Sequence, residues 1–191
     1  MSGEFSMSKE KSLTFVTNNK EKISDIREML GEKIDLHFTA DLDLIEIQSL
    51  LVEKVVTFKV KQAYEILGTP VAVTDSGLEI KALKGFPGAL VKYVNETIGQ
   101  EGIVKLLEGK DSRDAAFVAA IGFSDGKDLQ VFVEKDHGTI SSTPKGEGWH
   151  FDRIFIPKGD SRTWAEIGRN EKNKNSAFRR ALEQLTEFIL K

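Results

Sequence analysis

The sequence predicts an α/β protein with a mixed central β-sheet flanked by helices. Two observations favour this class. Short apolar runs alternate along the chain with longer segments in which apolar residues recur at helical spacing. Two strand-like runs within 115–135 are joined by Asp125-Gly126, a hairpin signal, so the sheet includes an antiparallel pair. No internal repeat or linker interrupts the chain, and we expect residues 13–191 to form one domain.

The first half of the chain is predicted to contain three strands and two helices. The strands are short apolar runs at 13–16, 34–38 and 71–74. The first helix places Ile23, Ile26 and Leu30 on one face and stops at Gly31, and the second spans 50–67 and stops at Gly68. The third strand is expected to be short and to deliver Asp75-Ser76-Gly77 at its carboxyl end.

The second half begins with a loop at 84–90 and two short helices around 91–98 and 102–107. The predicted hairpin follows at 115–135. Thr163-Trp164-Ala165-Glu166 fits a capping box, which marks the start of a helix. The chain closes with a helix that has an apolar face, formed by Ala181, Leu182, Leu185, Phe188 and Ile189.

Composition limits the classes of function. The net charge of -3 and the pI of about 5.7 argue against a dedicated nucleic-acid binder. Cysteine is absent, which excludes disulfides and thiolate metal sites, and no apolar run is long enough to span a membrane. By elimination we expect a cytoplasmic protein. Residues 1–12 are predicted to be a disordered N-terminus or a cloning remnant, because Met7 is a second possible start.

The junction between the first strand and the first helix is a candidate anion site. The leading N–H groups of a helix are unpaired and lie at the positive end of its dipole, so phosphates bind there. Thr17 and Asn19 offer hydrogen-bond donors, and Lys20 and Lys22 add positive charge in the first turn. The alternative is a polar turn with solvated lysines.

Three charged residues interrupt apolar patterns elsewhere. Lys59 falls inside the apolar stripe of its helix, so its ammonium either reaches water or points into a cleft. Asp75 follows a buried strand and is a suitable ligand for Mg²⁺, with Glu46 of the segment LIEIQ as its companion. Alternatively, Glu46 is a solvent-facing strand residue.

The segment at 148–157, GWHFDRIFIP, concentrates aromatic and acidic side chains. Trp149 and Phe151 could hold a flat ring between them while Asp152 accepts hydrogen bonds from it, or the aromatic rings could belong to the core. The three histidines lack the spacing of metal ligands, so no zinc site is predicted. The basic residues of the last segment are most simply solvent-facing: Lys172, Lys174, Arg179 and Arg180.

Seven motifs occur in a fixed order: TNNKEK at 17–22, LIEIQ at 44–48, Lys59, DSGL at 75–78, ALKGFPG at 82–88, GWHFDRIFIP at 148–157 and KNKNSAFRRAL at 172–182. In this order they resemble the inosine/xanthosine triphosphate pyrophosphatase family over nearly the whole chain. The resemblance implies an elongated, two-lobed fold with the active site in the cleft, usually dimeric. It also implies Mg²⁺-dependent hydrolysis of a nucleoside triphosphate to the monophosphate and pyrophosphate.

The resemblance also implies roles for individual residues. Asp75 and Glu46 would hold Mg²⁺ and, with Lys59, would be catalytic. A further set would bind the phosphates, namely Thr17, Asn19, Lys22, Lys59, Ser76 and Gly77. Another would bind the base, namely Trp149, Phe151, Asp152, Lys172 and Ser176.

Several positions depart from the family pattern. Asn18 replaces a glycine, and Thr74 stands where many members have a second acid. Ala177 and Phe178 replace the histidine and arginine that read the purine O6 in the family. Loss of these donors predicts altered or relaxed base choice, with Arg153, Arg179 or His150 as substitute donors. The alternatives are a pyrophosphatase for pyrimidine or modified-base triphosphates, or a nucleotide-binding module without turnover.

Overall fold

The computed structural model describes residues 11–40, 42–148 and 150–191. The predicted assignments for residues 1–10 and for Trp149 lie outside this part of the chain. The strands are β1 Ser12–Val16, β2 Asp35–Thr39, β3 Val71–Ile80, β4 Pro87–Gly88, β5 Asp114–Ser124, β6 Leu129–Ile140 and β7 Phe155–Pro157. The helices are α1 Lys20–Leu30, α2 Val52–Leu67, α3 Val91–Thr97, α4 Gly99–Leu106, α5 Trp164–Ile167, α6 Arg169–Asn173 and α7 Ala177–Leu190.

The strands form one mixed sheet in the order β2-β1-β3-β5-β6-β7, with β4 paired to β3. β1 pairs in parallel with β2 and β3, and the remaining pairs are antiparallel. The predicted fold class is therefore confirmed. The chain passes from β1 to β2 on one side and returns to β3 on the other. In such sheets a crevice opens at the carboxyl end of the strand at the crossing point, here β1.

Local sequence signals account for several element boundaries. α2 ends at Gly68, which adopts a left-handed conformation with φ +65° that favours glycine. Asp125 organises the β5–β6 turn, since its Oδ1 accepts hydrogen bonds from the backbone N–H groups of Lys127 and Asp128. The predicted capping box is also confirmed, because the Thr163 and Glu166 side chains each accept a hydrogen bond from the other residue's backbone.

The prediction of a short third strand is wrong. β3 continues through Asp75, Ser76 and Gly77 to Ile80 because β5 pairs with it along its whole length, from Val71↔Ser124 to Ile80↔Ala115. Its pairing with β1 stops at Val73. Asp75 therefore lies in the middle of β3, two residues beyond the last residue that pairs with β1. The edge of β3 that faces β1 is no longer covered by that strand at Asp75.

The segment around Glu46 is not a strand either. Within the described residues, positions 42–50 carry no helix or strand. Backbone atoms of this segment instead bond to α2 and to the loop that contains Ala89. β1 begins at Ser12, one residue before the start predicted for the domain.

The core is divided between the two ends of the long strands β3 and β5. At one end α1 and α7 cover one face of the sheet and α2 covers the other. At the other end of these strands a separate core cluster is built from Leu78, Ile80 and residues of α3, α4, α5 and β7. Asp75 and Ser76 lie between these clusters, where cavities open on the sheet. No helix in the described part of the chain is long and apolar enough to cross a membrane.

Candidate active site

The Lys59 ammonium lies between two carboxylates on one face of the sheet. Its Nζ is 2.6 Å from Oε1 of Glu46 and 3.8 Å from Oδ2 of Asp75. The Lys59 side chain is only 15% exposed, so its ammonium points into the cleft rather than out to water. α2, β3 and the 42–50 segment therefore bring together the three residues that were predicted to be catalytic. A cavity of about 540 Å³ opens beside Glu46 and Asp75.

The Asp75 carboxyl group is largely buried, and its surroundings act on its pKa in opposite directions. Burial raises the pKa of its carboxyl group, and the Lys59 ammonium and the Ser76 N–H oppose that shift. The Ser76 N–H donates to Oδ1 of Asp75 at 2.7 Å. This bond fixes the orientation of the carboxylate and occupies a backbone donor that was predicted to bind phosphate.

The donor set at this point fits Mg²⁺. Magnesium is typically bound by one or two carboxylates together with substrate phosphates and water. Glu46 and Asp75 supply two such carboxylates, and the Glu46 side chain is 54% exposed, which leaves it open to water and phosphate. No cluster of three or more His, Cys, Asp or Glu suited to a metal occurs among residues 11–40, 42–148 and 150–191.

The N-terminus of α1 is capped by its own sequence. Oδ1 of Asn19 accepts hydrogen bonds from the N–H groups of Glu21 and Lys22, and the Asn19 N–H donates to Oγ1 of Thr17. The N–H groups of Glu21 and Lys22, which were predicted to be free to bind an anion, are therefore already hydrogen-bonded to Asn19. Donors in this turn that remain available to a phosphate include the Asn19 amide nitrogen, the Thr17 hydroxyl hydrogen and the ammonium groups of Lys20 and Lys22.

Lys22 extends from the first turn of α1 to β3. Its Nζ donates to Oγ1 of Thr74 at 3.1 Å and lies 5.5 Å from the centre of the Phe178 ring. Burial lowers the pKa of the Lys22 ammonium from 10.5 to about 8, with the positive charge of Lys59 adding to this effect and the negative charge of Asp75 opposing it. Thr74 is thus the hydroxyl acceptor for this lysine.

The lowered pKa of Lys22 predicts a basic limb in the pH profile of activity. The protonated ammonium attracts phosphate, so kcat/KM for a triphosphate should fall as the pH rises through about 8. Lys22→Arg should remove this limb, because guanidinium stays protonated. Lys20→Arg, on an exposed side chain in the same turn, should keep it. A limb that persists in Lys22→Arg would contradict the assignment.

A second cavity of about 430 Å³ lies on the opposite face of the sheet. Successive side chains of a strand point to opposite faces, so Asp75 and Ser76 border different cavities. Carboxylates and basic groups from α1, β6, α6 and the turn at 150–153 share the wall of this second cavity with three aromatic rings. The lining of this cavity includes Lys22, Asp25, Phe117, Asp136, Asp152, Trp164, Lys172, Ser176 and Phe178.

Lys172 and Asp152 form a charged pair in the wall of this second cavity. The Lys172 Nζ lies 2.7 and 2.8 Å from the two carboxylate oxygens of Asp152, and both side chains are less than one-fifth exposed. The same ammonium lies 4.4 Å from the centre of the Trp164 ring. The prediction that Lys172 faces solvent is therefore wrong, because these partners hold it at the cavity.

The remaining basic residues of this segment differ from one another. Arg180 is also only partly exposed, since its guanidinium bonds Glu134, Asp136 and the backbone carbonyl of Lys135. Arg179 pairs with Glu28 of α1 and its side chain is only 20% exposed, so the solvent-facing prediction fails for it as well. Lys174 is exposed as predicted and pairs with Glu171. The solvent-facing prediction thus fails for Arg180 because β6 presents two carboxylates to α7.

The two other predicted base-binding residues, Ser176 and Phe151, lie in different surroundings. Ser176 borders the second cavity and caps α7 by accepting the Arg179 N–H. Phe151 is only 3% exposed, packs in the core cluster beside Ile154 and Phe155, and is not among the residues that line the second cavity. This placement agrees with the alternative that its ring belongs to the core and gives no support to the predicted stacking role.

Gly77, predicted to bind phosphate, serves a packing requirement. A Cβ atom there would lie 2.6 Å from the Gly88 carbonyl oxygen and 2.6 Å from Cγ2 of Val52. Glycine is needed because β4 and α2 approach the strand backbone this closely.

The two substituted positions of the last motif have different surroundings. Ala177 is the first residue of α7 and is fully buried in the core, and its N–H donates to Oδ2 of Asp136. Phe178 borders the second cavity. Of the suggested substitute donors, Arg153 bonds the Gly146 carbonyl and Arg179 bonds Glu28. His150 is exposed, with a positive φ of 41°.

A family model described as the Ham1 family matches residues 13–188. The chain belongs to this family. A relative from Methanopyrus kandleri, named dITP/XTP pyrophosphatase, is 41% identical over 176 residues, which are 91% of this chain and 94% of the relative. One of the same name from Korarchaeum cryptofilum is 37% identical over 179 residues, 94% of this chain and 96% of the relative. The solved Staphylococcus aureus Ham1 protein has a TM-score of 0.82 at 27% identity, covering 94% of this chain and 98% of that one.

Sequence reasoning missed several residues that border the cavities of this Ham1-family chain. Phe117 lies within an apolar strand and Trp164 within a capping box, and neither context signals a binding wall. Asp136 carried a usable signal, because it alternates with Glu134 along β6 and both face the same side as Arg180. Asp25 of α1 also borders the second cavity, where burial raises the pKa of its carboxyl group.

Proposed function

We propose that this chain hydrolyses non-canonical purine nucleoside triphosphates to the nucleoside monophosphate and pyrophosphate. The observation that carries the proposal is the Glu46–Lys59–Asp75 arrangement, with Lys22 nearby and an aromatic cavity on the other face of β3. The name dITP/XTP pyrophosphatase, borne by relatives that match over nine-tenths of the chain, supports the substrate class.

Each charged group has a role in this proposal. Asp75 and Glu46 hold Mg²⁺, which when bound supplies charge neutralisation and activates water. Water attacks the α-phosphorus, the bond to the bridging oxygen of the β-phosphate breaks, and the water proton passes to Asp75. Lys22 and Lys59, together with Thr17 and Asn19, hold the triphosphate. Their positive charge stabilises the pyrophosphate that leaves.

We assign the base to the second cavity. Trp164 and Phe117 provide aromatic surface there, and the Asp152–Lys172 pair offers acceptors and a donor for the edge of a purine. Ser176 lies at the same wall. Trp164 and Phe117 thus take the aromatic role that had been predicted for Phe151.

The reaction class is tested by pyrophosphate and orthophosphate release from a panel of triphosphates, with and without Mg²⁺. The panel contains ITP, XTP, dITP, the standard purine and pyrimidine triphosphates and modified bases. We expect Mg²⁺-dependent release of pyrophosphate without orthophosphate. Nucleotide binding without turnover would favour a binding module instead, and preference for pyrimidines would favour the other hydrolase.

We further propose that the base choice is relaxed, because an aromatic ring at Phe178 takes the place of the family's arginine at this cavity. Phe178→Arg should raise the ratio of kcat/KM for ITP to that for ATP. A rise of about tenfold to hundredfold is expected, since a hydrogen bond to a charged group contributes about 1.5–3 kcal/mol.

The added positive charge affects the binding of every triphosphate alike, and this shared effect cancels in the ratio of kcat/KM for ITP to that for ATP. Phe178→Leu keeps the wall apolar and should leave the ratio unchanged. A folded Phe178→Arg variant with an unaltered ratio would argue against this use of the position. So would a parent chain that already prefers ITP and XTP strongly over ATP and GTP.

The family resemblance also supports a homodimer that acts in the cytoplasm on the cell's nucleotide pool. Light scattering of the purified chain measures the assembly directly. A mass near twice 21.3 kDa is expected.

A further inference from the structure

Glu46 is carried by a segment with few anchors of its own. Residues 42–50 have no helix or strand within the described part of the chain. The Ile45 side chain, immediately before Glu46, is 67% exposed and so contributes little burial at this point. Leu42 and Leu44 pack against the α2 core cluster, but they precede Glu46 by two residues or more. Ile47, directly after Glu46, is only partly buried, so apolar packing alone does not fix the position of the Glu46 carboxylate.

Gln62 of α2 holds the peptide groups next to Glu46. Its side-chain Oε1 accepts the Ile45 N–H at 3.0 Å, and its Nε2 donates to the Ile45 carbonyl at 2.9 Å. The side-chain amide thus satisfies both backbone groups of one residue, as an adjacent strand would do. Nε2 also lies 3.5 Å from the Phe58 carbonyl of its own helix, which orients the amide.

The same helix holds Glu46 from two directions. Lys59 contacts the carboxylate at 2.6 Å, and Gln62, three residues further along α2, holds the preceding residue. Side chains three apart lie on the same face of a helix. The carboxylate is therefore placed by a rigid element rather than by its own loop.

We propose that Gln62 is a positioning residue, which sets the distance and direction of the Glu46 carboxylate toward Asp75 by clamping the Ile45 backbone. This inference rests on the proposed function, in which those two carboxylates hold Mg²⁺. Groups that orient metal ligands typically affect metal affinity or activity by about tenfold to hundredfold. Gln62 touches neither carboxylate, so its influence passes through the main chain.

Hydrogen exchange tests the clamp without metal or substrate. In Gln62→Leu the Ile45 N–H loses its acceptor, so amides of the 42–50 segment should exchange faster than in the parent chain. Gln62→Glu keeps an acceptor but places a carboxylate against the Ile45 carbonyl, and should also exchange faster. Gln184→Leu removes a glutamine from α7, which lies outside the proposed site, and should leave this segment unchanged.

Kinetics then test whether the clamp serves Glu46. Gln62→Leu should raise the Mg²⁺ concentration for half-maximal pyrophosphate release by about tenfold to hundredfold. The KM for nucleotide at saturating Mg²⁺ should change little, because Lys22 and the Thr17 turn are intact. In a Glu46→Gln background Gln62→Leu should cause no further loss, since residues that act through one another are not additive.

The outcomes separate the clamp from the proposed function. Unchanged exchange, an unchanged Mg²⁺ requirement or fully additive losses would overturn the role of Gln62. A parent chain that releases no pyrophosphate from any triphosphate would instead overturn the proposed function. In that case faster exchange in Gln62→Leu would support the clamp alone, and the inference about Mg²⁺ would fall with the function.

Discussion

Asp75→Asn is expected to lose at least about 10²–10³-fold in kcat, the cost of removing one preorganised charged or hydrogen-bonding group from an active site. The substitution removes a proton acceptor and one of the two carboxylates assigned to Mg²⁺. It retains Oδ1, which accepts the Ser76 N–H, so the local backbone keeps its bond. Pyrophosphate release at saturating Mg²⁺ and nucleotide measures the loss.

The fold should survive this change. Burial raises the pKa of the Asp75 carboxyl, which means that its ionised form costs stability in the folded chain at neutral pH. A neutral amide removes that cost, so the midpoint of thermal unfolding should stay the same or rise. Asp111→Asn, at an exposed position, is the matched control and should keep full activity. Ample activity in Asp75→Asn would show that the metal site has been misassigned.

Lys59→Gln is expected to lower kcat/KM by about 10²–10³-fold, because a fixed positive charge is lost next to the reacting phosphates. The loss has a second cause. Without the ammonium, Glu46 and Asp75 repel each other with less compensation, and the pKa of Asp75 should rise further because Lys59 now opposes that rise. Because a protonated Asp75 can neither bind Mg²⁺ nor accept the water proton, activity should fall at acidic pH, and in Lys59→Gln this fall should begin at higher pH.

Lys61→Gln provides the control for Lys59, since it lies on the same helix and is exposed. It should retain the activity and the pH profile of the parent chain. Equal losses in the two variants would point to a general effect on α2 rather than to a role at the carboxylates. Activity in Lys59→Gln that equals the parent would contradict the assignment directly.

β3 connects the two halves of the proposed site. Alternate side chains along a strand face opposite sides, so Asp75 joins Glu46 and Lys59 on one face while Thr74 and Ser76 border the region of Lys22 and the aromatic cavity on the other. β1 stops at the level of Val73, which leaves the β1 side of β3 open at this point. Because of this open edge, we place the triphosphate beside β3, where groups from both faces reach it.

The sequence by itself determined the elements whose information is local. Helical spacing and Gly68 predicted α2, Asp125-Gly126 predicted the β5–β6 hairpin, and Thr163 with Glu166 predicted a helix start. The motif order also indicated the family. These features depend on residues a few positions apart, so the pattern along the chain is sufficient to specify them.

Only the tertiary structure decided features that depend on partners distant in sequence. β3 runs past Asp75 because β5 pairs with it, although the sequence around 75–77 alone suggested a strand end. Lys59 faces two carboxylates rather than water because the 42–50 segment and β3 bring Glu46 and Asp75 to its helix. Phe151 and Trp164 both belong to the core, but Trp164 also borders a cavity together with Phe117, since access to a cavity depends on which elements pack together. Burial, pairing and pKa all arise from neighbours that are brought close only when the chain folds.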